Sequence, residues 1–141
     1  MKGDRRWGVA ALLILALLAP ACREEASAGS DGGEPVTLEP IEGTDLTRVV
    51  LTERAAARIG IETAAVGDVG SRLAVPESAV WVDVNGDEWV YMTHDSLMFL
   101  REAITVVRYD GGLALLSDGP AAGTQVVTVG VAELIGSEFG I

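Results

Sequence analysis

The side chains able to do chemistry are few, and they lie apart from one another. His94 is the single histidine and Cys22 the single cysteine. Met92, His94 and Met98 bring two thioethers and an imidazole close together in sequence, a donor set that suits Cu(I). Met92 and His94 are two positions apart and so share one face of a strand. The plainer reading of the same three residues is core methionine beside a surface histidine. A zinc site needs more cysteine or histidine than the chain has, and triad chemistry lacks its partners. Ser78, Ser96 and Ser117 have no nucleophile-elbow context. The acidic residues follow no acid/base spacing, and the glycines mark turns rather than a phosphate cradle. The sequence therefore predicts a non-catalytic protein with no cofactor.

Cys22 has a different context. Lys2, Arg5 and Arg6, partly offset by Asp4, precede an apolar run from Gly8 to Leu18, and Ala19-Pro20-Ala21 leads into the cysteine. The run is short for a membrane span, which takes about 20 residues, and suits the core of a signal peptide. Small residues before the cysteine resemble a bacterial lipobox, with Ala19 where that pattern favours Leu. The expectation is a lipoprotein signal peptide over residues 1–21 and acylation of Cys22, which becomes the mature N-terminus. An ordinary signal peptide cut after Ala21 and an uncleaved anchor are the alternatives. Residues 22–35 are rich in Glu, Ser, Ala and Gly and read as a flexible tether. The domain over 36–141 would thus be lipid-anchored on the extracytoplasmic side of a bacterial membrane. Arg23 follows the cysteine where Asp would retain the protein at the inner membrane, so the choice of membrane stays open.

The formal net charge is -11. Nucleic-acid binding needs Lys and Arg to neutralise phosphates, so that class is excluded. Lys2 is the only lysine, which leaves no basic patch for anionic lipid.

Positioning falls to a β-rich segment, Val75 to Val131. Runs rich in Val, Ile, Trp and Tyr suit a pleated, half-buried surface. They are separated by Asn85-Gly86, Asp110-Gly111-Gly112 and the stretch from Pro120 to Gly123, and Asn-Gly and Asp-Gly supply the positive φ of tight hairpins. Before this segment, Val36–Leu38 and Leu46–Leu51 predict strands. Thr52 is a natural N-cap for a two-turn helix over Glu53–Ile59, with Ala55, Ile59 and Ala56 or Ala57 facing a core and Gly60 as its stop. Ile61–Val66 predicts a strand, and Gly67–Gly70 a turn into Ser71–Val75. Phe99–Tyr109, Leu113–Leu116 and Gln125–Val129 complete the strands. Val131–Phe139 forms a helical turn or frays. The predicted fold is mostly β: a small barrel or meander of about six to seven strands with one short helix.

The hairpin at Asn85-Gly86 decides which residues share a face. A two-residue turn would oppose Asp83 to Glu88, an unfavourable like-charge pair. A three-residue loop, Asn85–Asp87, pairs Val82 with Val90. It places Val80, Val82, Val90 and Met92 on one face and Trp81, Asp83, Trp89 and Tyr91 on the other. Trp81, Trp89 and Tyr91 are then either a partner-binding patch, since aromatic anchors are common at interfaces, or a second core layer under the helix.

Short pieces of this order carry a resemblance. They are Val75-Pro76 with Ala79-Val80, Gly86 with Trp89-Val90-Tyr91, Phe99 with Arg101, and Gly123 with Val126-Val127-Thr128, Gly130 and Leu134. Together they resemble the C-terminal part of the periplasmic adaptor (membrane fusion) subunits of RND-type efflux pumps. Val50-Leu51-Thr52 with Gly60-Ile61-Glu62-Thr63 is similar to the segment preceding that family's long insertion of β-barrel, lipoyl-like module and helical hairpin. Here only a few residues separate Val66 from Val75, so the insertion is expected to be absent. The resemblance, over roughly Val49–Phe139, implies the membrane-proximal domain, which adaptors assemble from two chain ends. It implies as partner an RND-type or other export transporter. Some adaptors serve copper and silver pumps and use methionines, which is the context for Met92, His94 and Met98 as a metal-binding alternative; an inactive, truncated adaptor remnant is the other alternative.

Overall fold

The computed structural model describes residues 34–95 and 97–141. The expected signal peptide, Cys22, nearly all of the tether and Ser96 lie outside the described residues.

The chain opens with an antiparallel hairpin of β1 (Val36–Pro40) and β2 (Thr47–Leu51), in which Val36 stands opposite Leu51. Helix α1 (Glu53–Ile59) follows at once. The Thr52 hydroxyl accepts the Ala55 N–H, which satisfies one of the orphan donors of the first turn. Gly60 adopts the left-handed conformation that ends the helix and donates its N–H to the Ala56 carbonyl. Ala55 is buried and Ala56 and Ile59 are half-buried, so this amphipathic turn faces a core as its sequence predicts.

Strands β3 (Glu62–Ala65), β4 (Gly67–Val69) and β5 (Arg72–Pro76) come next. A 3-10 turn, Glu77–Ala79, leads to the short β6 (Trp81–Val82). Strands β7 (Glu88–Asp95), β8 (Met98–Asp110), β9 (Leu113–Asp118) and β10 (Gln125–Val129) form the main sheet, and helix α2 (Val131–Phe139) ends the chain. The fold is therefore mostly β, as predicted, with a second helix where the sequence left helix or fraying open.

The sheet runs β3-β10-β7-β8-β9-β5-β4, with β2 added on β8 and β6 on β7. All pairings are antiparallel. Its two ends, β3 and β4, are joined by one residue, Val66, whose N–H and C=O bond to Thr124 and Gly123. The sheet is thus curled onto itself. Long β8 makes the curl: its first half pairs with β7 and its second with β9, with register shifts around Val106. Such bulges bend a strand and increase its twist.

Two cores lie on opposite faces of this sheet. Inside the curl are Val66, Val75, Ala79, Val90, Ile104, Ala114, Leu116 and Val126. Outside it, under α1 and α2, are Val49, Leu51, Ala55, Tyr91, Phe99, Val127 and Leu134. Neighbours Val90 and Tyr91 point opposite ways, and both are 0% exposed; Val126 and Val127 repeat the arrangement. Strands buried on both faces read as continuous apolar runs rather than as alternation. Gly130 makes the step from β10 into α2 with φ 96°. A Cβ there would stand 2.5 Å from Ile61 Cδ1 and 2.8 Å from Ile59 Cγ2, so glycine also lets α2 start against α1 and β3.

Two expectations are corrected. Gly67–Val69 is a strand, pairing Gly67 with Ala74, and the turn lies at Gly70-Ser71. In the β6–β7 hairpin, Trp81 opposes Trp89 and Val82 opposes Glu88, and the Asp83 N–H bonds the Asp87 carbonyl. The loop is Val84–Gly86, not Asn85–Asp87. The cause is the Asp83 carboxylate, which accepts the N–H groups of Asn85 and Asp87 and the Trp89 indole at 2.8, 3.0 and 3.2 Å. Both loops contain an odd number of residues, so the face assignment survives: Trp81, Asp83, Trp89 and Tyr91 share a face, and Val90 is inside. Val82 is not. Set opposite Glu88 at the rim of the curl, it is 57% exposed.

Burial acts to raise the Asp83 carboxyl, and the bonds from Asp87, Asn85 and Trp89 outweigh it, leaving the group below its ordinary value. A depressed carboxyl stabilises the fold above the unfolded value, about 3.9, and that contribution fades as pH falls through the folded value. The stability difference between wild type and Asp83→Ala should therefore be constant near neutrality and shrink on acidification below the ordinary aspartate range, as read by thermal unfolding at a series of pH values. A difference independent of pH would contradict this. The two faces of the hairpin give a second test. Val90→Asp places an unpaired charge in the inner core and should prevent folding, whereas Val82→Lys, at an exposed position opposite Glu88, should change stability by less than about 1 kcal/mol in urea denaturation.

Candidate functional site

The face that carries Trp81, Trp89 and Tyr91 is the densest cluster of functional groups among the described residues. Strand pairing positions it. Trp81 opposes Trp89 across β6–β7, Trp89 opposes Ala103, and Tyr91 opposes Arg101 across β7–β8. The Trp81 ring stacks on Trp89 and Tyr91 with centroids 6.2 and 5.9 Å apart, and Phe139 of α2 meets it edge-on at 6.2 Å. Both geometries are favoured by the aromatic quadrupole. The Arg101 guanidinium lies 4.7 Å from the centroid of Trp89 and 5.1 Å from that of Phe139, a cation held against two rings.

The polar centre of the cluster is Glu138, on the last turn of α2. Its Oε1 lies 3.2 Å from Arg101 Nε, and the two side chains are 3% and 11% exposed. The Nε–H makes no hydrogen bond among the described residues, so this contact is an ion pair. Arg101 NH2 donates instead to the Asp45 carbonyl at 2.8 Å, tying in the β1–β2 loop. The Tyr91 hydroxyl donates to Glu138 Oε2 at 2.5 Å. Burial, that hydrogen bond and the Glu138 charge together push the Tyr91 phenol far above its ordinary range, with Arg101 opposing weakly. Tyr91 is therefore a neutral donor near neutral pH. Trp81 Nε1 is buried and finds no acceptor among the described residues.

Chemically, this arrangement holds a helix down. Leu134 seals the outer core, and Glu138 and Phe139 fix the end of α2 over Arg101 and the rings. Of the two readings that the sequence left open, the core layer holds for Tyr91, and the helix above it is α2. Tyr91 is fully buried and has no surface to offer a partner, which corrects its assignment to a contact patch. Trp81 and Trp89 are half-buried. Arg101, Glu138 and Phe139 were not singled out as site residues. Arg101 interrupting an apolar strand run was the available signal, because a charge at such a position demands a partner.

The candidate metal ligands do not form a comparable cluster. Met92 packs half-buried against the inner core, and His94 and Met98 are exposed. Among the described residues no group of three or more His, Cys, Asp or Glu side chains is placed to hold a metal ion. His94 and Asp95 instead line an open cleft of about 570 Å³ beside α1, together with Glu53, Ala57, Ile61 and Gln125. Thr93 at its base is buried, and its hydroxyl donates to the Asp95 carbonyl across the bulge at the end of β7.

No protein-family model, curated protein or solved structure matches the chain.

Removing one partner of a buried ion pair leaves the other uncompensated and costs about 3–5 kcal/mol. Glu138→Ala should lose stability on that scale in chemical denaturation, with a change in tryptophan fluorescence as Arg101 leaves the Trp89 face. Tyr91→Phe, which removes one hydrogen bond but keeps the ring, should cost about 1–3 kcal/mol. Equal and small effects of both would show that the pair does not hold α2.

Proposed function

We propose that this chain is a lipid-anchored, non-catalytic docking domain. It corresponds to the membrane-proximal domain of an RND-type periplasmic adaptor, and its partner is an efflux or export transporter. One observation carries the reading: the domain is assembled from the front and back of the chain, as the resemblance expects. Strand β2 pairs with β8, and β3 pairs with β10. Where adaptors carry their long insertion, this chain has the β4–β5 hairpin, closed by the turn at Gly70-Ser71. The lipoyl-like module and helical hairpin are what reach toward an outer-membrane channel. A domain without them is suited to docking or assisting at the membrane surface rather than to bridging the envelope.

Acylation of Cys22 belongs to the same proposal. A lipid and a tether of about a dozen residues would confine the domain to the layer where a transporter's extracytoplasmic part begins. Confinement of this kind raises effective concentration, so a weak interface is occupied without high intrinsic affinity.

The test is crosslinking of the full-length protein in its own membrane, followed by identification of the captured proteins. A transporter component should be captured from wild type. Cys22→Ser should leave the mature membrane fraction and lose the adduct. Capture of no transporter component from a membrane-bound wild type would overturn the reading.

A further inference from the structure

Helix α2 is seated on the aromatic face and Tyr91 is buried beneath it, and a second surface, at one end of the curled sheet, has an unusual composition. The β6–β7 loop, the β8–β9 turn and the 3-10 turn meet there. Val82 opposes Glu88 in the ladder. Glu88 accepts the Val106 N–H at 3.0 Å and the Tyr109 hydroxyl at 3.4 Å. The Glu77 N–H bonds the Gly112 carbonyl, and the Tyr109 phenol is raised by burial and then by the charges of Glu88 and Glu77.

Apolar groups are presented outward at this rim. Val84 is fully exposed at the loop tip, Val82 is 57% exposed and Tyr109 48%. Around them stand Glu77, Asp83, Asp87, Glu88 and Asp110. Asp83 is occupied by the loop, and Asp110 is paired with Arg108 at 3.3 Å. Glu77 and Asp87 are exposed. The other arginines of the described chain are elsewhere: Arg48 on β2, Arg54 and Arg58 on α1, Arg72 at the far end of β5 and Arg101 beneath α2.

We propose that this rim, with Val82, Val84 and Tyr109 at its centre and Glu77, Asp87 and Glu88 around them, docks a protein surface that presents Lys or Arg around an apolar contact. Charge selects this occupant. A second copy of the same rim would set carboxylates against carboxylates, and like charges facing each other across an interface cost several kcal/mol. An anionic membrane surface is repelled for the same reason. A basic protein surface gains on both counts: its charges meet the exposed carboxylates of Glu77 and Asp87, and its apolar side chains cover valines and a tyrosine already exposed to water. Tyrosine, an amphipathic ring with few rotatable bonds, is well suited to anchoring such a contact. Only the partner's identity rests on the transporter reading; the chemistry of the surface does not.

The test places a photo-crosslinking phenylalanine analogue at Val84, where full exposure leaves the fold undisturbed, in the full-length protein in its own membrane. Ala57 on α1 is the control position. Val84 should yield an adduct with one protein, joined at a peptide that contains Lys or Arg. The adduct should fall at least tenfold in the Glu77→Lys/Asp87→Lys variant, whose folding is checked by circular dichroism, and should weaken with added salt. Adduct with a second copy of this chain, with lipid only, equally from Ala57, or undiminished by charge reversal in a folded variant would overturn the proposal. The two proposals fail separately. A basic partner that is not a transporter component upholds the rim and removes the transporter reading. A transporter captured by general crosslinking but never through Val84 does the reverse.

Discussion

Burial of β7 and β10 on both faces is the constraint on which the rest of this structure depends. Val90 and Val126 close the inside of the curl while their neighbours Tyr91 and Val127 close the outside. A single sheet with one wet face would need only one of these layers. Here each face must be covered: the inner by the sheet's own curvature, through the bulges in β8 and the joint at Val66, the outer by α1, α2 and the β1–β2 hairpin. Apolar burial contributes about 25 cal/mol per Å² of surface removed from water, so a small domain gains by burying two faces of the same strands. The helices are therefore parts of the core rather than ornaments on a barrel, and the Arg101–Glu138–Tyr91 contacts set where α2 stops.

The same constraint explains what could and could not be read in the sequence. Local signals were legible because local chemistry decides them. Thr52, Glu53 and Gly60 mark the ends of α1, and Gly111-Gly112 turns β8 into β9. The face shared by Trp81, Trp89 and Tyr91 was legible too, because side-chain alternation needs only the parity of the loop. The loop's true position was not, because it depends on a carboxylate, that of Asp83, collecting three donors that lie on both sides of the turn. For α2 the sequence left helix and fraying open, since nothing within Val131–Phe139 announces a partner. Its anchor Glu138 meets Arg101 and Tyr91 more than thirty positions away in sequence.

The functional reading changes in location rather than in kind. Trp81, Trp89 and Tyr91 read as either a partner patch or a core layer while the cover was unknown. With Phe139 and Glu138 of the same chain upon them, Tyr91 serves the core and the two tryptophans are half-buried, and exposed apolar groups also stand at the acidic rim. Under the docking proposal, the valines and the tyrosine left among carboxylates are what a basic partner would meet. The proposed lipid at Cys22 would hold that rim near whatever lies at the membrane surface.

Hydrogen–deuterium exchange of the full-length protein, compared between its native membrane and detergent-purified, partner-free form, tests this account most directly. The account predicts that amides of Asp83–Asp87 and of the β8–β9 turn gain protection in the membrane, while β7, β10 and α2 are equally protected in both states. New protection over α2 and the aromatic face, or none at the rim, would contradict it.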